Sequence, residues 1–145
     1  MELPNRQVIM LGTNEIPHTS IIIKEGAVST CHIRLNVETQ VLDKSGREIA
    51  TLPAGFTSNG ANIPYSLRLV FPVWGEYTLP VFVHDYWSKK AIDDKVWSYR
   101  EYCDDNFSDW AIQCGVNQWR AKAMGGGVTA YGKFNKLRGF YDNIS

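Results

Sequence analysis

The sequence predicts an α+β fold, with a small antiparallel β-sheet in the N-terminal half packed beside a C-terminal helical bundle of about three helices. Two observations carry this prediction. Two-residue alternation of apolar and polar side chains ends near Leu52, and three- to four-residue spacing takes over near Glu76. Strands first and helices after is the order expected of segregated sheet and helix layers. The length of 145 residues suits one core, so a single domain over residues 1–145 is expected.

Residues 1–30 are mixed, with an apolar triplet at Ile21, Ile22 and Ile23 and Gly26 soon after. Alternation then becomes clean. Ile33, Leu35, Val37, Thr39 and Val41 point one way and His32, Arg34, Asn36, Glu38 and Gln40 the other, the period of a half-buried strand. Asp43 to Gly46 reads as a turn, and Arg47 to Leu52 returns as a second strand. Pro53 to Pro64 is irregular, rich in Gly, Asn and Pro, and a short helix is expected over Tyr65 to Val70. Glu76 to Lys90 reads as the first long helix, with Thr78 near its start and Pro80 tolerated in its first turn. Lys95 to Cys114 reads as the second, on a stripe of Cys103, Phe107, Trp110, Ala111 and Cys114, with Gly115 as its C-terminal cap. A third begins at Asn117. Gly125, Gly126 and Gly127 either bend it or allow close packing, and it resumes from Val128 to Leu137 before a loop tail from Gly139.

Composition narrows the function classes. Fifteen basic and fifteen acidic residues cancel, so no broad field attracts nucleic acid, and no nucleic-acid partner is expected. Arg120, Lys122, Lys133, Lys136 and Arg138 read as a solvated helix face, with a local anionic contact as the alternative. Hydrophobic residues make up 44% of the chain, too many for intrinsic disorder. Cys31, Cys103 and Cys114 cannot all pair, and Cys103 and Cys114 sit about 16 Å apart if one helix holds both. Reduced thiols packed in a cytosolic folding environment are expected. The N-terminus lacks the apolar run of a secretory signal, and no stretch approaches a transmembrane span. No phosphate loop and no GxSxG elbow occurs. Trp74, Trp87, Trp97, Trp110 and Trp119 are expected in core and edge packing.

The residues that invite chemistry are His84 and Asp85, set between Val81-Phe82-Val83 and Tyr86-Trp87. Burial among apolar walls is expected to lower the His84 pKa and favour the neutral, basic form. Neighbouring helical residues diverge by about 100°, so His84 and Asp85 address different places. Asp104 shares a helix face with Phe107 and Ala111, leans inward and needs a partner, which an antiparallel helix pair makes His84. Asp85 is then free to face the Gly55–Pro64 loop, whose carbonyls and Asn side chains, Asn59 and Asn62 among them, suit calcium. On this reading His84 is a general base for water, Asp104 its orienter, and Asp85, Asn59 and Asn62 metal ligands. The alternative is structural, with Asp85 accepting backbone N–H bonds from the Asn59-Gly60 turn and His84 bonded in the core.

The run Leu52 to Pro64, then Phe71-Pro72-Val73-Trp74-Gly75, then Val83-His84-Asp85, resembles the domain of unknown function 1353 family, which is frequent in bacteriophage and prophage genomes. Cys103-Asp104 and Gly115-Val116 match its later positions, so the likeness spans about residues 33–125. Asn59 stands where that family has Asp, Asn62 where it has Ser, and Ser88 where it has Tyr, which weakens a cation site. The His-Asp helix with an Asp twenty residues on is also similar to the bacterial branch of the phospholipase A₂ enzymes, an analogy of three residues. These resemblances imply a phage-encoded accessory or virion-associated protein with a hydrolase-like site, acting with calcium on an envelope ester. They leave open a non-catalytic tail or capsid component and an intracellular inhibitor of a host protein. Implied partners are other virion proteins or a host envelope component, and the implied location is the host cytoplasm during synthesis and then the virion.

Overall fold

A computed structural model of the chain describes residues 5–13, 15–24, 30–58 and 78–139. They divide into two compact units between Asn59 and Gly60, and each is taken by itself. The architecture is α+β. Six strands occupy the first unit: β1 (Arg6–Met10), β2 (Thr19–Lys24), β3 (Thr30–Leu35), β4 (Glu38–Leu42), β5 (Glu48–Leu52) and β6 (Thr57–Ser58). Among the described residues the second holds three helices: α1 (Thr78–Asp94), α2 (Trp97–Gln113) and α3 (Gln118–Leu137). The expected helix over Tyr65 to Val70, Trp74 and the tail beyond Gly139 lie outside the described residues.

The single antiparallel sheet expected from sequence is instead two sheets of three strands, ordered β1-β4-β5 and β2-β3-β6. The long alternating stretch from His32 to Val41 is not one strand. It bends at Asn36-Val37, so β3 pairs with β2 and β6 while β4 pairs with β1 and β5. The physical reason lies in Asn36. Its N–H donates to the His18 carbonyl at 2.7 Å, and its Oδ1 accepts from the Ser20 hydroxyl at 2.9 Å. Alternation survives the bend, since Leu35, Val37, Thr39 and Val41 are all buried. β1 runs parallel to β4, a pairing with no local sequence signature. Asp43 closes the β4–β5 turn as predicted. Its Oδ1 accepts from the Ser45 N–H, the Ser45 hydroxyl and the Arg47 N–H, and Gly46 takes φ +88°, a conformation open to glycine.

The helical unit follows from its apolar faces. The first turns of α1 are buried nearly all round, from Leu79 through Asp85, the pattern of a helix inside a core. In α2 the buried set is Trp97, Arg100, Cys103, Asp104, Phe107, Trp110 and Ala111. Val81, Phe107, Ala111, Val116, Ala121, Met124 and Val128 form one apolar cluster joining the three helices. Of the tryptophans, Trp97 and Trp110 are buried and Trp87 packs edge-on against Tyr99 and Tyr102, whereas Trp119 is exposed. Gly115, at φ +92°, ends α2 as expected. Asn117 caps α3, its side chain accepting from the Trp119 N–H at 3.0 Å.

The glycine run neither ends nor interrupts α3, which is continuous through it. Its value is close approach. A Cβ added at Gly125 would lie 2.0 Å from the Ser108 Oγ of α2, while one at Gly126 would meet nothing within 4 Å. Gly125→Ala is therefore expected to destabilise the protein by about 1–3 kcal/mol through overpacking. Gly126→Ala should be neutral or stabilise by up to about 1 kcal/mol through helix propensity. Urea denaturation of the two variants checks the contrast.

Candidate functional site

Antiparallel packing of α1 on α2 brings His84 to Asp104. His84 Nε2 lies 2.6 Å from Asp104 Oδ1, both side chains being almost wholly buried. The ring is set edge-on against Phe107, with centroids 5.5 Å apart. The pairing expected from the inward lean of Asp104 is therefore present.

The site contains more than the expected pair. Arg100, one turn before Asp104 on α2 and fully buried, donates from Nε to both carboxylate oxygens at 2.9 and 3.0 Å. Its Nη2 donates to the Val128 carbonyl of α3 at 2.9 Å. One carboxylate thus gathers a group from α1 and a group from its own helix, and the guanidinium carries the tie across to α3. On the far side of the imidazole, Nδ1 faces the Ser88 hydroxyl at 3.5 Å, the outer limit of a hydrogen bond. Ser88 in turn lies 3.6 Å from Cys103 Sγ, whose thiol reaches the Arg100 carbonyl at 3.2 Å.

Sequence reading missed Arg100, Ser88 and Cys103 as members of this group. A signal for the first was present, because Arg100 falls on the buried stripe of α2 at the i−4 position of Asp104. Gly132 makes the arrangement possible from α3. A Cβ there would stand 2.8 Å from Arg100 Nε and 2.9 Å from Asp104 Oδ2.

The electrostatics reverse one expectation. Burial is the largest influence on His84 and pushes its pKa down, as predicted. The Cys103 sulfur and the Asp104 carboxylate outweigh it, with Arg100 in partial opposition, and the pKa rises to about 9. The direction is opposite to the one expected from burial alone, because the partners of the ring favour its protonated form.

The remaining candidates fare differently. Asp85 is buried on α1. Asn59 and Asn62, its expected co-ligands, lie outside the described residues, as does the loop between them. His84, Cys103 and Asp104 bring one ligand atom each within 4.8 Å of one another. Sulfur and imidazole suit a zinc-like ion, whereas calcium takes oxygen ligands, so this trio is not the expected calcium site. A dication there would also compete with the Arg100 guanidinium for both oxygens of Asp104. Cys103 is buried on α2 and Cys114 is half-buried at the end of that helix.

Two predictions follow from the ion pair. A group whose folded pKa is raised gives stability that is complete below its unfolded value, about 6.5, and is lost as pH climbs through the folded value. Unfolding free energy should therefore fall between pH 6.5 and 9 in the native protein, and His84→Gln should flatten that slope. Arg100→Met removes one partner of a buried carboxylate and is expected to destabilise by about 3–5 kcal/mol, read by urea denaturation.

No curated protein and no solved structure matches the chain. The family model described as protein of unknown function, DUF1353, matches residues 33–128, a span that takes in His84, Asp85, Arg100, Cys103 and Asp104. The chain belongs to the DUF1353 family.

Proposed function

We propose that this chain is a non-catalytic bacteriophage accessory protein, associated with the virion, in which the Arg100–Asp104–His84 network is a structural clasp. The observation that carries the non-catalytic reading is the state of the dyad. A general base must be unprotonated and within reach of the proton it takes. His84 is buried, raised to about 9, and faces a buried serine hydroxyl through Nδ1. Asp104 is bound on both oxygens by Arg100. Each feature suits three helices fixed to one another better than turnover. The phage and virion assignment rests on the company the family keeps in phage and prophage genomes.

One observation favours a second reading. The 2.6 Å bond from His84 to Asp104 would serve as the orienting contact of a phospholipase A₂-like site, in which the imidazole would activate a water and Asp85, Asn59 and Asn62 would hold calcium. It makes the chain an ester hydrolase acting on a host envelope component.

Ester hydrolysis assayed with added calcium and with chelator separates the two. The clasp reading expects equal background rates for wild type and His84→Ala under both conditions, together with a loss of thermal stability in the variant. A calcium-dependent rate that His84→Ala abolishes at a temperature where both proteins are folded would establish the hydrolase instead. Presence of the protein at fixed stoichiometry in purified particles is expected, and its absence from them would overturn the virion assignment.

A further inference from the structure

α3 carries two apolar faces, and only one of them is used by the core. Ala121, Met124, Gly125, Val128 and Gly132 are buried. At 100° per residue, Trp119, Ala123, Gly126, Ala130, Phe134 and Leu137 fall within an arc of about 80° on the opposite side. All six are exposed, Trp119 by 64%, Phe134 by 54% and Leu137 by 88%. A surface helix ordinarily turns charge to that side.

Charge is present, but at the flanks and of one sign. From Gln118 to Arg138 the sequence has five cations, Arg120, Lys122, Lys133, Lys136 and Arg138, and no carboxylate. All five are exposed, with Lys122 and Lys133 on one side of the stripe and Arg120 and Arg138 on the other. The Arg138 guanidinium lies over the Phe134 ring at 5.4 Å, and the Lys136 ammonium over Trp97 at 4.4 Å. Glu101, Asp104 and Asp105 of α2 share with Lys133 and Lys136 the lining of a cavity of about 230 Å³.

We propose that the outer face of α3 lies on an anionic lipid surface. An aromatic and aliphatic stripe with cations on both borders is the pattern of a helix resting in the plane of a membrane interface. The bulky anchors sit at the two ends, Trp119 and the Phe134-Leu137 pair about 22–27 Å apart by helical rise, so both can insert only if the axis lies parallel to the surface. Long lysine and arginine stems bordering the stripe can lay their methylenes on apolar chains while their heads reach lipid phosphates. Between the anchors Ala123, Gly126 and Ala130 offer no ridge for a protein partner to match, whereas acyl chains adapt to any relief. A second copy is disfavoured by charge, because face-to-face packing sets five cations against five. The mode is peripheral. Among the described residues no helix is long and apolar enough to cross a membrane.

Flotation of the full chain with vesicles tests this, using phosphatidylcholine alone and an equal mixture of phosphatidylcholine with phosphatidylglycerol. The chain should float with the anionic vesicles and not with the neutral ones, and raised salt should reduce binding about tenfold or more. The triple variant Trp119→Ser, Phe134→Ser, Leu137→Ser should lose about tenfold or more of the partition coefficient, with its thermal melt unchanged because all three side chains are exposed. No flotation with anionic vesicles would overturn the proposal, as would undiminished flotation of the triple variant. A dimer by light scattering that the triple variant abolishes, with vesicles ignored, would assign the face to a second copy.

Discussion

The helical unit is organised around one carboxylate. Asp104 lies in a core from which bare charge is excluded by its solvation cost, and a buried carboxylate persists only with partners on its oxygens. Arg100 supplies two bonds from the same helix and His84 a third from α1, and the guanidinium continues to a backbone carbonyl of α3. Each partner specifies a distance and a direction, so the three helices are fixed in register as well as in contact. Apolar packing among Val81, Phe107, Met124 and Val128 supplies the cohesion. The polar network decides which of the many greasy arrangements is adopted.

The same network bears on how the enzyme-like motif is read. An imidazole oriented by a carboxylate is a common catalytic device, but it needs an open second nitrogen and a proton that leaves near neutrality. In this chain the second nitrogen is turned toward Ser88, and the partners of the ring raise its pKa. The guanidinium on the carboxylate satisfies what would otherwise be an anion seeking a metal or a substrate.

The helices and the central contact were legible in the sequence because both are local or stripe-based. Asp104 announced itself by sitting between Cys103 and Phe107 on an apolar face, and His84 by standing among Val83, Phe82 and Tyr86. Arg100 was equally placed but escaped notice, since an arginine at a helix start is ordinarily solvated. The direction of the His84 shift differs from expectation because burial among Val81, Phe82 and Val83 outranks the Asp104 pairing in a sequence reading, and the approach of Cys103 is set by the fold. The break at Asn36 was invisible because Leu35 and Val37 keep the alternation on both sides of it. The parallel pairing of β1 with β4 joins residues about thirty apart by position, and no periodicity encodes that. The glycine run of α3 reads as a bend or as a packing device, and the position of Ser108 shows that packing is the use of Gly125.

The central claim is that residue 84 is a buried cation paired with residue 104. A direct test is an NMR titration of the imidazole, with ¹⁵N-labelled histidine followed from pH 5 to 10. Both ring nitrogens should keep imidazolium shifts through neutrality and titrate near 9. A ring already neutral at pH 7, with an apparent pKa below the ordinary value of about 6.5, would contradict the clasp and return His84 to the role of a base.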